Sequence, residues 1–333
     1  MRGWLGHRWH SHPSSGLRPP SPLAARREKA WHITVALLLA LLLNTEHWSL
    51  NTSLAAAEAK AAGTVRVLAD LPYKSGDKLN DYEKERCKLD LYLPGGKKGF
   101  PSLVWFHGGG LEAGVKNGKE TVALARSLAA AGVAVASVNY RLSPKATYPA
   151  YVEDAAAAFA WVRANVGAHG GDPARLFIGG HSAGGYLTLM VGLDARYLRA
   201  HGLELTATAG LVPVSGQTMT HYTVRKERGI GQFTITADEA APVFHVRKET
   251  PPMLVIYADK DMAGRAEENE YLVAIMKGAG NQRVHGLLAR DRTHGSVGHR
   301  IAEASDPARL AILEFIEAPT KFRPASPAGK AAF

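Results

Sequence analysis

The chain has 333 residues, of which 46% are hydrophobic, and its formal net charge is +10. This length and hydrophobic content are enough for one sizeable buried core. A single cysteine excludes an intrachain disulfide and a cysteine-rich metal site. Beyond residue 63 the basic residues are scattered among acidic ones without a basic run, so the charge does not indicate nucleic-acid binding.

The first 63 residues are typical of a targeting segment and linker rather than of a folded domain. Basic residues at 26–29 precede an apolar run at 33–43, and alanines follow at 55–57. This order is that of a secretory signal, and a retained N-terminal membrane anchor is the alternative. We therefore expect an exported protein, secreted or held in the periplasm or cell envelope. Residues 319–333, rich in proline and alanine, are predicted to be a disordered tail.

Residues 64–318 are predicted to fold as alternating strands and helices. Short apolar runs indicate strands at 64–68, 87–93, 102–106, 133–138, 175–178, 206–214, 253–257 and 283–288. Helical spacing indicates helices at 120–131, 151–166, from 183 onward, 267–277 and 307–316. Strands that alternate with helices predict an α/β fold, with a mostly parallel central sheet covered by helices on both faces.

The sequence GHSAG at 180–184 is the first candidate for chemistry. It fits the pattern G-x-S-x-G and lies between a predicted strand and a predicted helix. Two glycines allow the strand to turn sharply into the helix, which exposes the Ser182 hydroxyl at the end of the sheet. The pattern alone is weakly specific. A nucleophilic serine also needs a general base, an acid that orients the base, and donors for the oxyanion.

A glycine run supplies the candidate donors. The sequence HGGG at 107–110 directly follows the predicted strand 102–106, so backbone N–H groups of this loop can face a ligand. A flexible loop or a phosphate-binding loop is the alternative, but the Gly-Lys-Ser/Thr of a Walker loop is absent. Upstream of a G-x-S-x-G pattern, such a run favours an oxyanion hole.

Two aspartates compete for the role of the orienting acid. Asp259 and Asp261 follow the predicted strand 253–257, where a carboxylate can reach across to a histidine. Either could instead cap a helix or stabilise a turn. The residue types alone leave both open.

The base is expected after the acid, where the sequence offers three histidines. His285 lies within a predicted strand, His294 lies in the loop that follows it, and His299 lies near a predicted helix start. A loop at the end of a strand is the best position of the three, which favours His294 and leaves His299 as the alternative. The order serine, aspartate, histidine is the one that α/β-hydrolases use.

Together these motifs resemble the hormone-sensitive-lipase-like esterases of the α/β-hydrolase fold, especially the acetyl- and feruloyl-esterase-like branch (α/β-hydrolase fold-3). The matching residues extend over most of positions 88–317. They include HGGG at 107–110, VNYRLSP at 138–144, GHSAGG at 180–185, Asp261 and His294.

The resemblance implies a role for each site residue. Ser182 would be the nucleophile, His294 the general acid and base, and Asp261 its orienting acid. The oxyanion hole would be formed by the N–H groups of Gly108, Gly109 and Ala183. Structural braces near the site would be Tyr140, Arg141, Leu142 and Asp154. The chain departs from the family pattern at two positions: Leu111 replaces a frequent aromatic residue, and His181 stands where many members have an acidic one.

The expected reaction is hydrolysis of a carboxylic ester through an acyl-enzyme, with no metal or organic cofactor. The expected partner is a small-molecule ester, including acyl groups carried by a polysaccharide. Residues 217–248, with Met219, Tyr222 and Phe233, are expected to supply part of the pocket. The alternatives are an arylformamidase-like amidase and a catalytically silent binding protein of the same fold. The second predicts a missing triad member, and none is missing. The oligomeric state is left open.

Overall fold

The computed structural model describes residues 64–323, and the predicted targeting segment lies outside this range. The strands are β1 (Val65–Pro72), β2 (Lys88–Pro94), β3 (Phe100–Phe106), β4 (Ala134–Val138), β5 (Gly171–His181), β6 (Gly210–Val214), β7 (Met253–Lys260) and β8 (Val284–Thr293). The α-helices are α1 (Asp81–Arg86), α2 (Lys119–Ala130), α3 (Ala150–Asn165), α4 (Ala183–Leu193), α5 (Ala195–Arg199), α6 (Tyr222–Glu227), α7 (Arg265–Gly278), α8 (His294–His299) and α9 (Pro307–Glu317).

The eight strands form one sheet in the order β1-β2-β4-β3-β5-β6-β7-β8. Strand β2 runs antiparallel to both of its neighbours, and every other adjacent pair is parallel. The predicted α/β class with a mostly parallel sheet is therefore confirmed. Parallel neighbours bring their carboxyl ends to the same edge of the sheet, and Phe106 at the end of β3 pairs with Gly180 near the end of β5. This register places the glycine run beside the serine turn.

Each face of the sheet carries its own hydrophobic core. Along β3, Val104 and Phe106 belong to a cluster with buried residues of α3, α4 and α7. The alternate residues, Leu103 and Trp105, belong to a second cluster with buried residues of α2 and α9. Successive side chains of a strand point to opposite faces, so this alternation shows a sheet that is buried on both sides.

Several boundaries differ from the predicted ones. The apolar run at 206–214 is a strand only from Gly210, because residues Leu205–Ala207 form a 3-10 turn. Strand β8 continues to Thr293, so His294 begins a helix instead of lying in a loop, and His299 ends that helix instead of starting one. Helix α1 was not predicted, because six residues are too few to show helical spacing.

The predicted end of the domain at residue 318 is too early. The ring of Phe322 is 2% exposed and packs edge-on against Phe315 of α9 and against His285 of β8. The packed chain therefore reaches at least residue 322. Residues 324–333 of the predicted tail lie outside the described range.

Between residues 64 and 323, none of the helices has both the length and the apolar character that a membrane span requires.

The turn into α4 depends on a close backbone approach at Gly184. A Cβ atom at this position would lie 1.9 Å from the carbonyl oxygen of Phe106, which is fixed in the central sheet. We expect Gly184→Ala to lower the free energy of unfolding by at least about 3 kcal/mol, measured by urea denaturation. Gly278→Ala is the control, because nothing lies within 4 Å of its Cβ position. The free energy of unfolding of this control should be about 0.5–1 kcal/mol higher than that of the wild type, as expected for alanine in place of glycine in a helix. Wild-type stability in Gly184→Ala would contradict the proposed constraint.

Candidate active site

Ser182 lies on the turn that joins β5 to α4, with φ 56° and ψ −115°. A positive φ is uncommon for a residue with a side chain and indicates a strained turn. Backbone hydrogen bonds of Ser182 to the next strand and to the following helix hold the turn in this strained conformation. The N–H of Ser182 donates to the carbonyl of Val214 at 2.8 Å, and its own carbonyl accepts from the N–H of Tyr186 at 3.0 Å. The hydroxyl is thereby fixed at the carboxyl edge of the sheet.

His294 links the serine to an aspartate. Its Nε2 lies 2.8 Å from Ser182 Oγ, and its Nδ1 lies 2.6 Å from Asp261 Oδ1. Because an ionised carboxylate only accepts hydrogen bonds, Nδ1 carries the proton and Nε2 is left as the acceptor for the serine hydroxyl. This arrangement is the geometry in which a histidine can remove the proton of a serine.

The carboxylate of Asp261 is surrounded by donors. Its side chain is fully buried, and besides His294 it accepts from Ser215 Oγ at 2.5 Å and from the N–H of Met262 at 2.8 Å. Burial raises the pKa of Asp261, but the hydrogen bonds from His294, Ser215 and the backbone outweigh it. The pKa of this carboxyl therefore lies below its ordinary value, and the group is held ionised beside His294.

The structure also shows where the two competing residues lie. Asp259 accepts hydrogen bonds from the N–H groups of Asp291 and Arg292 at 2.9 and 3.0 Å, so it holds the end of β8. His299 lies at the far end of α8, with its ring 6.4 Å from that of His181. The structure thus brings Ser182, His294 and Asp261 together, and neither Asp259 nor His299 takes part in that chain of hydrogen bonds.

The three predicted oxyanion donors lie beside the serine with their N–H groups free. Within residues 64–323, the N–H groups of Gly108 and Gly109 donate no hydrogen bond. Ala183 is the first residue of α4, so its N–H has no partner within the helix. A Cβ atom on Gly108 would lie 3.4 Å from Ser182 Cβ, which shows how closely the glycine loop approaches the nucleophile. These free donors can serve a negatively charged oxygen.

One predicted brace supports the glycine loop directly. Tyr140 donates from its hydroxyl to the carbonyl of His107 at 2.8 Å, and its ring stacks on the His107 imidazole at 4.4 Å. The next residue, Arg141, forms a two-pronged ion pair with the fully buried carboxylate of Asp154 in α3, at 2.8 and 2.7 Å. Arg141 therefore ties the segment after β4 to helix α3.

Ser182 and His294 open into a cavity of about 530 Å³. Its lining includes the apolar residues Trp105, Val115 and Leu124 and the polar residues Tyr222 and Arg265. Residues 217–248 were expected to contribute Met219, Tyr222 and Phe233 to the pocket. Of these three residues, Tyr222 lines the cavity. Met219 does not line this cavity, and Phe233 is 90% exposed to solvent.

Ser215 was not predicted from the sequence. It follows β6 with φ 47° and is fully buried, and its hydroxyl is the partner of Asp261 described above. The available signal was a small polar residue at the end of a strand beside β7, which is weak on its own. Within residues 64–323, no group of three or more His, Cys, Asp or Glu side chains is arranged to hold a metal ion.

Comparison with known proteins supports the sequence resemblance. The family model BD-FAE matches residues 89–212. The chain is 34% identical over 143 residues to the carboxylesterase NlhH of Mycobacterium tuberculosis, covering 43% of this chain and 40% of the relative. It is 30% identical over 232 residues to the esterase LipQ of the same organism, covering 64% of this chain and 53% of the relative. The chain thus spans about half the length of the curated relatives it matches.

Solved structures decide the fold. A truncated carbohydrate esterase from gut microbiota superposes with a TM-score of 0.61 at 21% identity, over 77% of this chain and 97% of that one. Esterase B of Lactobacillus rhamnosis superposes with a TM-score of 0.63 at 20% identity, over 82% and 94%. The chain has the α/β-hydrolase fold. The predicted resemblance of this chain to the hormone-sensitive-lipase-like esterases is confirmed.

The hydrogen bond from Ser215 to Asp261 gives the stability of this chain a testable pH dependence. Because the pKa of Asp261 is lower in the folded than in the unfolded chain, its contribution to stability is present above the unfolded value of 3.8 and is lost as the pH falls through the folded value. Ser215→Ala should raise the pKa of Asp261 toward that ordinary value. We therefore expect Ser215→Ala to lower the free energy of unfolding more at about pH 6 than at about pH 3, by urea denaturation.

The control for this prediction is the same substitution in an Asp261→Asn background. Asparagine does not titrate, so there Ser215→Ala should cost the same free energy at both pH values. A pH-dependent cost in the asparagine background would mean that the hydroxyl acts through some group other than Asp261.

Proposed function

We propose that this α/β-hydrolase is a serine carboxylic-ester hydrolase that works through Ser182, His294 and Asp261. The observation that carries the proposal is the continuous chain from Ser182 Oγ to His294 Nε2 at 2.8 Å and from His294 Nδ1 to Asp261 at 2.6 Å. The similarity to carboxylesterases supports the same reaction class. A silent binding protein of this fold would not need these three side chains in this geometry.

The geometry suggests the order of steps. His294 Nε2 accepts the Ser182 proton while Oγ attacks the ester carbonyl, and the imidazolium that forms is stabilised by the ionised Asp261. The negative charge on the former carbonyl oxygen is received by the N–H groups of Gly108, Gly109 and Ala183. The imidazolium then returns the proton to the leaving alcohol. Water, activated by the same His294, attacks the acyl-enzyme and releases the acid and the free serine.

The cavity favours esters of small acids. Its volume of about 530 Å³ is in the range of small-molecule sites, and its lining combines apolar residues with Tyr222 and Arg265. The apolar residues suit a short acyl group, and the polar ones suit a hydroxyl-rich alcohol. We therefore propose small acyl esters, including acyl groups on a polysaccharide, as the substrate class. One structural neighbour, named as a carbohydrate esterase, is consistent with that choice.

The substrate class can be tested with a series of p-nitrophenyl esters of increasing acyl length, beside N-formylkynurenine. We expect the highest kcat/KM for a short acyl chain and a much lower value for the formamide. A preference for N-formylkynurenine would favour the arylformamidase-like alternative. The test uses the 333-residue chain. A second assay, in which acetate released from acetylated xylan is measured, tests a polysaccharide substrate.

Ser182→Ala should lower kcat for the best ester by at least about 10⁴-fold, because it removes the hydroxyl that His294 contacts and that forms the acyl-enzyme. The measurement is steady-state hydrolysis, with thermal unfolding to show that the variant is folded. Full activity in a folded Ser182→Ala protein would rule out the mechanism.

The two aspartates give a matched pair of variants. We expect Asp261→Asn to lower kcat by about 10⁴-fold, because an amide cannot hold His294 in the required tautomer and cannot stabilise its charged form. Asp259→Asn removes a carboxylate at the end of the same strand that binds backbone N–H groups of β8 and not His294, so it should leave kcat within about threefold of wild type. The opposite ranking of the two variants would assign the orienting role to Asp259.

A further inference from the structure

His181, the residue before the nucleophile, makes a direct contact with the helix that carries His294. Its Nε2 lies 2.7 Å from the backbone carbonyl oxygen of His294. A carbonyl has no proton to give, so the imidazole must be the donor, and its proton is on Nε2. The contact joins two positions that are 113 residues apart in the sequence.

The same imidazole packs on both sides against glycines of the site. A Cβ atom on Gly298, in the same short helix as His294, would lie 2.7 Å from His181 Cγ. A Cβ atom on Gly108 would lie 3.3 Å from His181 Nδ1. One ring therefore fills the space between helix α8 and the loop of free N–H donors.

Helix α8 needs such support. It has six residues, and isolated helices of this length are not stable in water. Its N-terminus is capped by Thr293 and Ser296, but that cap fixes only the local backbone. The His294 side chain must meet two partners, Ser182 and Asp261, so a small shift of its backbone would lengthen both hydrogen bonds.

The charge state of His181 suits this role. Burial, together with the neighbouring His294, lowers the pKa of His181 to about 3. The imidazole is therefore neutral at ordinary pH and keeps the proton that it donates to the carbonyl. The two rings lie 5.0 Å apart, so a charged His181 would oppose the positive charge that His294 acquires in the reaction.

We propose that His181 is a positioning residue, which holds helix α8 so that His294 stays in hydrogen-bond contact with Ser182. This inference rests on the proposed serine chemistry and adds to it a residue outside the three predicted ones. An ionised carboxylate at position 181 would have no proton to donate, so the contact requires a side chain with an N–H at this reach.

Three variants separate the hydrogen bond from packing. His181→Gln places an amide N–H near the position of Nε2 and should restore the bond. His181→Asn carries the same amide one carbon shorter, near the position of Nδ1, and cannot reach the carbonyl. His181→Met has similar volume and no donor. Thermal unfolding shows which variants are folded, and the glutamine–asparagine comparison decides the question if the methionine variant is not.

Two readouts report on the position of His294. One is the split of ester hydrolysis into kcat and KM, and the other is the rate at which a fluorophosphonate labels Ser182. We expect His181→Met and His181→Asn to lower both kcat and the labelling rate by about tenfold to a hundredfold, as a displacement near 1 Å would. KM should change by less than about threefold, since the apolar lining residues Trp105, Val115 and Leu124 are unchanged. His181→Gln should recover most of both rates.

The inference is overturned if His181→Met or His181→Asn, when folded, keeps the wild-type kcat, or if His181→Gln is as slow as His181→Asn. Failure of the proposed function gives a different result. If the wild-type chain is labelled but hydrolyses no ester, ester hydrolysis is wrong, and the labelling rates of the variants still test His181.

Discussion

The structure depends on one strained backbone turn at Ser182. A φ of 56° is unfavourable for serine, and it persists because neighbouring backbone groups leave no alternative. The N–H of Ser182 is bound to the next strand at Val214, and Gly184 lies so close to the Phe106 carbonyl that a methyl group would collide with it. The energy of a well-packed sheet thus maintains a local conformation that presents the hydroxyl to the cavity.

The register of the sheet then brings the other groups to that hydroxyl. Strands β3, β5, β6, β7 and β8 are parallel neighbours, so their carboxyl ends form one edge. The glycine loop follows β3, Ser182 follows β5, Ser215 follows β6, and Asp261 and His294 follow β7 and β8. Five strand ends therefore supply the site, and the order of the strands in space differs from their order in the sequence only where β4 and β3 exchange places.

Because the site is assembled from the ends of several strands, the sequence could predict some of its residues and not others. The glycine run and the serine turn are local patterns of strand, small residues and helix, so their positions follow from the residues alone. Asp259 and Asp261 could not be separated by residue type, because both end the same strand. Their difference lies in partners on β8: Asp259 binds backbone N–H groups at 291 and 292, whereas Asp261 binds the imidazole of His294. Ser215 acts across 46 residues and His181 across 113, and no sequence pattern records such contacts.

Burial shifts the pKa values of Asp261 and His181 in opposite directions, and hydrogen bonds decide which of the two side chains stays charged. Burial alone would neutralise both side chains. Asp261 receives donors from His294, Ser215 and Met262, which outweigh burial and keep it negative. His181 has one hydrogen-bond acceptor, the carbonyl at its Nε2, which does not offset the effect of burial. The imidazole therefore takes up no second proton and stays neutral. His294 therefore lies between one negative group and one neutral group. A positive charge that develops on its imidazole is stabilised by Asp261 and is not opposed by the ring 5.0 Å away.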